Sequence, residues 1–211
     1  MQLVKTTGKK GDKSRQTRQR ILQAAYELFV AQGYGATTLQ AIADRAGVAV
    51  QTIYFTFGNK PSLLKELVDV TIAGDDEQIP TMQRPWFRHA LAASTAEAHL
   101  QRHVEGTCQV LQRVAPITDV LRSATAQDPN IAGLWQYETD PRLQVQVTAA
   151  ASLIAKPGAR PGITAEQAAD LLYAILSPEL YLLFTRDRSW TPDHWQQWAY
   201  GTLHTQLCAD S

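Results

Sequence analysis

Along most of the chain apolar residues recur at three- and four-residue spacing, the period of a helix with one buried face. Ile21, Ala25, Leu28 and Phe29 mark a first helix, which should end near Gly33, because glycine tolerates the left-handed conformation of a C-terminal cap. Thr38 is a natural N-cap for a second helix through about Ala46, and Gly47 closes it. A very short third helix is predicted over roughly Val50 to Phe55. Asn59 can cap a fourth, with Lys60-Pro61 in its first turn and an apolar face from Leu63, Leu64, Leu67 and Val68.

The helical signals resume after the Gly74-Asp75-Asp76-Glu77 break. Ser94-Thr95-Ala96-Glu97 reads as a capping box before a long segment, Asp128-Pro129 as the start of another helix, and Thr164-Ala165-Glu166-Gln167 as a second capping box. Thr191-Pro192 opens the last helix, and Pro178, which cannot donate to the carbonyl of Ala174, predicts a kink or restart at Ser177-Pro178. No stretch alternates with a period of two between hairpin-spaced turns. The expected fold is all-α.

Charge changes this picture. The 211 residues carry 20 Lys and Arg against 20 Asp and Glu. Residues 1–60, however, hold Lys5, Lys9, Lys10, Lys13, Arg15, Arg18, Arg20, Arg45 and Lys60 against only Asp12, Glu27 and Asp44, so the front is basic and the rear acidic. Such a chain suits presentation of one end to phosphate, where released counterions drive binding. Residues 1–13 have almost nothing to bury and are expected to form a disordered basic arm, either a plain tail or a source of DNA contacts through Lys9, Lys10 and Lys13. Cys108 and Cys208 match no metal or redox spacing. With no signal-peptide core and no expected bilayer-spanning run, the expectation is a cytoplasmic protein with no membrane partner and no cofactor.

The segment Thr38 to Tyr54 carries candidate chemistry. A helix-turn-helix needs a small residue where its helices cross, a glycine in the tight turn and apolar locks on both helices, and Ala43, Gly47, Val48 and Ile53 have those properties. Taken with Gly33-Tyr34 and the run Thr52-Ile53-Tyr54-Phe55-Thr56-Phe57-Gly58-Asn59-Lys60-Pro61-Ser62-Leu63-Leu64, it resembles the tetracycline-repressor (TetR) family signature over about residues 15–68. Ala49, Thr56 and Gly58 depart from the common pattern, which bears on the detailed contacts and not on the mode of binding. The resemblance implies a helix-turn-helix DNA-binding domain at residues 14–60 and a helical ligand-sensing and dimerisation domain at 61–211, a homodimer formed through the last two long helices, double-stranded operator DNA as partner and release by a small-molecule effector.

Within a recognition helix lying in the major groove, Gln51 offers amide donors and acceptors for a base edge, and Val50 and Phe55 offer apolar contact to thymine methyls. Thr52 and Tyr54 are placed for phosphate through their hydroxyls, as matching family positions are, with Lys60 a further phosphate contact. Thr38 and Gln40 open the preceding helix, where Thr38 serves equally as a cap and Gln40 as part of a solvated face.

In the rear half, Leu171, Leu172, Ile175, Leu176, Leu180 and Leu183 on one helix, with Trp195, Trp198, Ala199 and Thr202 on the next, supply apolar surface for a subunit interface or an internal core. Candidate ligand-binding residues are Trp86, His99, His103, Trp135, Tyr137, Tyr173 and Glu179, which combine aromatic walls with a few polar groups. The competing classes are a metal-dependent enzyme and a helical interaction module without DNA contact. His99 and His103 share a helical face, with His89 a conceivable third ligand, but the glutamate that zinc hydrolases place between such histidines is absent, so no metal site is assigned.

Overall fold

A computed structural model describes residues 8–74, 79–128, 131, 133–134 and 140–209. Among them the chain is helical: α1 (Gly8–Ala36), α2 (Leu39–Ala46), α3 (Val50–Phe57), α4 (Lys60–Ala73), a 3-10 turn (Thr81–Gln83), α5 (Pro85–Leu91), α6 (Ala96–Gln127), α7 (Pro141–Ile154), α8 (Ala165–Ile175), α9 (Pro178–Thr185) and α10 (Pro192–Leu207). A lone bridge between Ala159 and Cys208 ties the loop before α8 to the end of α10.

Most helix ends obey local chemistry. Gly33, at φ 82° and ψ 166°, breaks α1 where a C-terminal cap was expected, and one further turn follows it. The Thr38 hydroxyl accepts from the Ala41 amide at 3.0 Å, and Gly47 closes α2 in the left-handed conformation at φ 64°. Both sides of the predicted capping box at Thr164 and Gln167 are made. The first such box is shifted: Thr95, not Ser94, caps α6 by accepting from the Ala98 amide at 3.2 Å. Helix α3 runs two residues beyond its expected end, because Phe57 still has core to enter.

Helix α1 begins at Gly8, so residues 8–13 are helical where a disordered arm was expected; residues 1–7 lie outside the described residues. Once a buried helix exists, adding turns at its end fixes one residue per hydrogen bond and avoids the nucleation cost. The proposed helix start at Asp128-Pro129 also runs outside the described residues.

The described chain divides into two compact units: residues 1–70 with 120–135, and residues 71–119 with 136–211. The first unit runs past residue 60: α4 buries Leu63, Leu64, Leu67 and Val68, and the end of α6 returns to the same unit. The first unit packs Ile21, Ala25 and Phe29 with Ile42, Ala43 and Ile53, all fully buried. The second gathers Phe87, Leu100, Val104, Leu153, Leu172, Trp195 and Leu203.

Residues 165–185 are long and apolar enough by composition to cross a bilayer, against the sequence expectation. The helix is nevertheless interrupted there: α8 stops at Ile175, and Ser177 caps α9 with Pro178 in its first turn. Leu172, Leu176, Trp195 and Ala199 belong to the second unit's own core, so of the expected interface stripe only part stays at the surface, with Leu183 47% exposed.

Candidate nucleic-acid interface

The angle between α2 and α3 is fixed from both sides. Beneath the turn, Ile42, Ala43 and Ala46 of α2 and Ile53 of α3 are all buried. Across it, the Arg20 guanidinium reaches from α1 to the carbonyls of Ala46 and of Gly47, the latter at 3.1 Å. Arg18 pairs with Glu66 and lies 5.5 Å from the Phe57 ring centre, while Arg45 donates to Glu27 at 2.6 Å. Several front-end cations therefore hold the unit together as well as charging it.

An open cleft of about 520 Å³ results, lined by Thr38, Leu39, Gln40, Val50, Tyr54, Asn59 and Lys60. Two helix N-termini open onto it. Thr38 caps α2, and Asn59 accepts from the Ser62 amide at 2.8 Å in the first turn of α4. Helix N-termini carry unpaired amides and a partial positive charge, so their convergence beside Lys60 favours an oxyanion such as phosphate. The Lys60 ammonium lies 4.0 Å from the Tyr34 ring centre, and burial holds its pKa below the ordinary lysine range. Tyr34 is itself stacked on Phe29 at 5.6 Å.

Five of the eight sequence-selected residues, Thr38, Gln40, Val50, Tyr54 and Lys60, line this cleft. The other three do not. Gln51 and Phe55 stand one turn apart on the neighbouring exposed strip of α3, Phe55 being 94% exposed, and Thr52 is half-buried. Gln40 donates to Asp44 at 2.7 Å and so enters the cleft already engaged. Ala49 supplies no side-chain cap to α3, consistent with its lacking a hydroxyl. Leu39 and Asn59 are lining residues that sequence reasoning did not select, although the capping role read for Asn59 was the available signal. Tyr34, as the seat of Lys60, was missed as well.

The ligand candidates part company. His99 and His103 are fully buried on one face of α6 with ring centres 6.2 Å apart, and Trp86 lies 6.1 Å from His103. The ring Nε2 of His103 meets Oε1 of Gln146 at 2.8 Å. Burial, the dominant cause in both, pushes each histidine down to about 4, assisted in His99 by His103 and Lys156 and opposed in His103 by the Gln146 hydrogen bond. Tyr173 stands apart from this cluster: its hydroxyl donates to Asp140 at 2.5 Å and Arg142 covers its ring at 3.5 Å, a pin between α7 and α8. Glu179 is exposed in the first turn of α9 and is not among the buried candidates. Trp135 and Tyr137 lie outside the described residues. His89 is exposed, and among the described residues no group of three His, Cys, Asp or Glu could hold a metal ion.

The family model for bacterial regulatory proteins of the tetR family matches residues 21–67. A helix-turn-helix-type transcriptional regulator of Bacillus subtilis, YvkB, whose role is itself uncharacterised, is 46% identical over 54 residues, 26% of this chain and 29% of YvkB. The matches span between 25% and 41% of the length of the first curated relatives. Over the whole chain the likeness is one of fold. The structure of SmeT in complex with triclosan has a TM-score of 0.68 at 19% identity, covering 92% of this chain and 93% of SmeT. NalD, the secondary repressor of the MexAB-OprM multidrug efflux pump in Pseudomonas aeruginosa, has a TM-score of 0.58 at 21% identity, covering 94% of this chain and 100% of NalD.

Proposed function

Through residues 21–67 the chain belongs to the tetR family of bacterial regulatory proteins, and from that premise we propose that it is a cytoplasmic, ligand-responsive transcription repressor. As a homodimer it binds palindromic operator DNA, and a small-molecule effector releases it. The reading rests chiefly on one observation: the cleft where the N-termini of α2 and α4 meet Tyr54 and Lys60, beside the exposed Gln51 and Phe55. Phosphates seated in the cleft would fix the register, leaving Gln51 and Phe55 for base edges. A homodimer presents α3 twice, about 34 Å apart, the repeat of one DNA turn.

Release is a matter of linkage. An effector that binds more tightly to the conformation with mismatched recognition helices lowers DNA affinity by the same free energy with which DNA opposes the effector. Two similar folds give this reading precedent, since NalD is described as a repressor and SmeT is seen with a bound small molecule.

The test is fluorescence anisotropy with labelled palindromic duplexes selected from a random pool. Affinity should fall steeply as salt rises, with a slope of about 0.9 per phosphate neutralised. Gln51→Ala should lose discrimination among operator variants by about 1–3 kcal/mol while keeping most nonspecific affinity. An absence of salt-dependent affinity for any duplex would support the interaction-module alternative instead.

A further inference from the structure

On one face of α6, His99, His103 and Thr107 follow one another at four-residue spacing. Among the described residues, the two ring nitrogens of His99, Nδ1 of His103 and the Thr107 hydroxyl are all buried without a hydrogen-bond partner. Thr107 is the more unusual for what its fellows do. Thr118, Thr125, Thr148 and Thr185 each donate to the carbonyl four residues earlier, at 2.8 to 2.9 Å. Buried polar atoms in native folds are nearly always satisfied, so such a concentration of open ones marks a place completed by a guest or by ordered water.

The open groups define what that guest must offer. Oε1 of Gln146 can only accept, so Nε2 of His103 donates to it and Nδ1 is left as a bare acceptor. Both rings are neutral at physiological pH, and Lys156, the charge sensed by His99, already donates to the Leu91 carbonyl at 2.9 Å. A charged guest would be stripped of water here without a counter-ion. The walls are aromatic: Phe87 lies edge-on to His103 at 5.9 Å and Trp86 faces it at 6.1 Å. Of these rings Trp86 alone is only half-buried. It occupies the space left by Gly106, where an added Cβ would fall 2.2 Å from the indole.

We propose that this cluster is the effector site of the regulator described above, and that its guest is a small, uncharged, planar aromatic molecule whose hydroxyl donates to Nδ1 of His103 and whose ring enters by displacing Trp86. The identification as an effector site rests on the regulator reading; the binding chemistry does not.

Calorimetric titration of the full chain with naphthol, methoxynaphthalene and naphthoate tests it. Naphthol should bind at least about tenfold more tightly than methoxynaphthalene, which keeps the oxygen and loses the donor, and naphthoate should bind most weakly. His103→Phe should reduce naphthol to the methoxynaphthalene level and leave methoxynaphthalene itself unchanged. If that variant does not fold, the ratios in the unaltered chain decide. Equal binding of naphthol and its ether, preference for naphthoate, no binding by any of the three, or a stoichiometric metal ion held by the histidines would overturn the proposal. A duplex titration run in parallel separates the two readings: salt-dependent DNA binding with no naphthol binding defeats the site alone, and naphthol binding without DNA binding defeats the regulator alone.

Discussion

At position 60 a lysine is confined by its neighbours in the folded chain. Tyr34 packs beneath the Lys60 ammonium, so its long stem is already confined at the mouth of the cleft. Lys60→Ala should therefore weaken binding about equally on all duplexes and lower the salt slope by about one, measured by anisotropy at several salt concentrations. Tyr34→Leu should move affinity the same way while leaving the slope nearly intact, since the charge remains. Neither tyrosine nor lysine announced this pairing in the sequence, because positions 34 and 60 are joined only by folding. Gln51 and Phe55, in contrast, were legible as surface residues from the period of α3 itself: Ile53 and Phe57 face inward, which turns their neighbours outward. The ligand candidates show the limit of such reasoning. An aromatic or histidine at helical spacing reads alike whether it joins a cluster, as His103 does, or a surface pin, as Tyr173 does.

Among the elements, the α2–turn–α3 unit was the most legible, since each boundary is set by chemistry within a few residues: Thr38 begins it and Gly47 turns it. Gly47→Ala should cost about 1–2 kcal/mol in thermal melts, because φ 64° is unfavourable for any residue with a Cβ. That Cβ would also come within 3.0 Å of the Arg20 guanidinium, so DNA affinity should fall together with stability. Thr38→Ala should cost about 1 kcal/mol through the lost cap. The shift from Ser94 to Thr95 at the start of α6 was less legible. Both residues have hydroxyls, and the choice is made by a long-range contact in which the Ala96 amide donates to the Pro157 carbonyl at 3.0 Å. The Ser177-Pro178 break was read correctly because proline forbids the continuing bond wherever it sits in the fold.

For the molecule as a whole, the buried histidines predict an acid sensitivity with a definite sign. Their ordinary pKa is 6.5 and in the native chain it is about 4. The unfolded chain thus takes up protons that the folded one refuses. The stability they contribute is complete above pH 6.5 and is lost as pH falls toward 4. Melting temperature should drop across that window, and His99→Phe should flatten the drop; an unchanged slope in the variant would remove His99 as a source. If the segment of α8 and α9 together with α10 forms the expected subunit interface, Leu183→Glu should shift sedimentation from dimer to monomer, since that side chain is 47% exposed in the single chain. The division into units was the least legible property at this scale. Helix α6 lends residues to both, and it continues as one helix of 32 residues across the transfer. Phe55 leaves a last mark on how the protein would behave in a tube. A nearly bare phenyl ring on α3 is an adhesive spot in water, so concentrated stocks kept without oligonucleotide should cloud sooner than stocks kept with it, and replacing Phe55 by serine should abolish the difference.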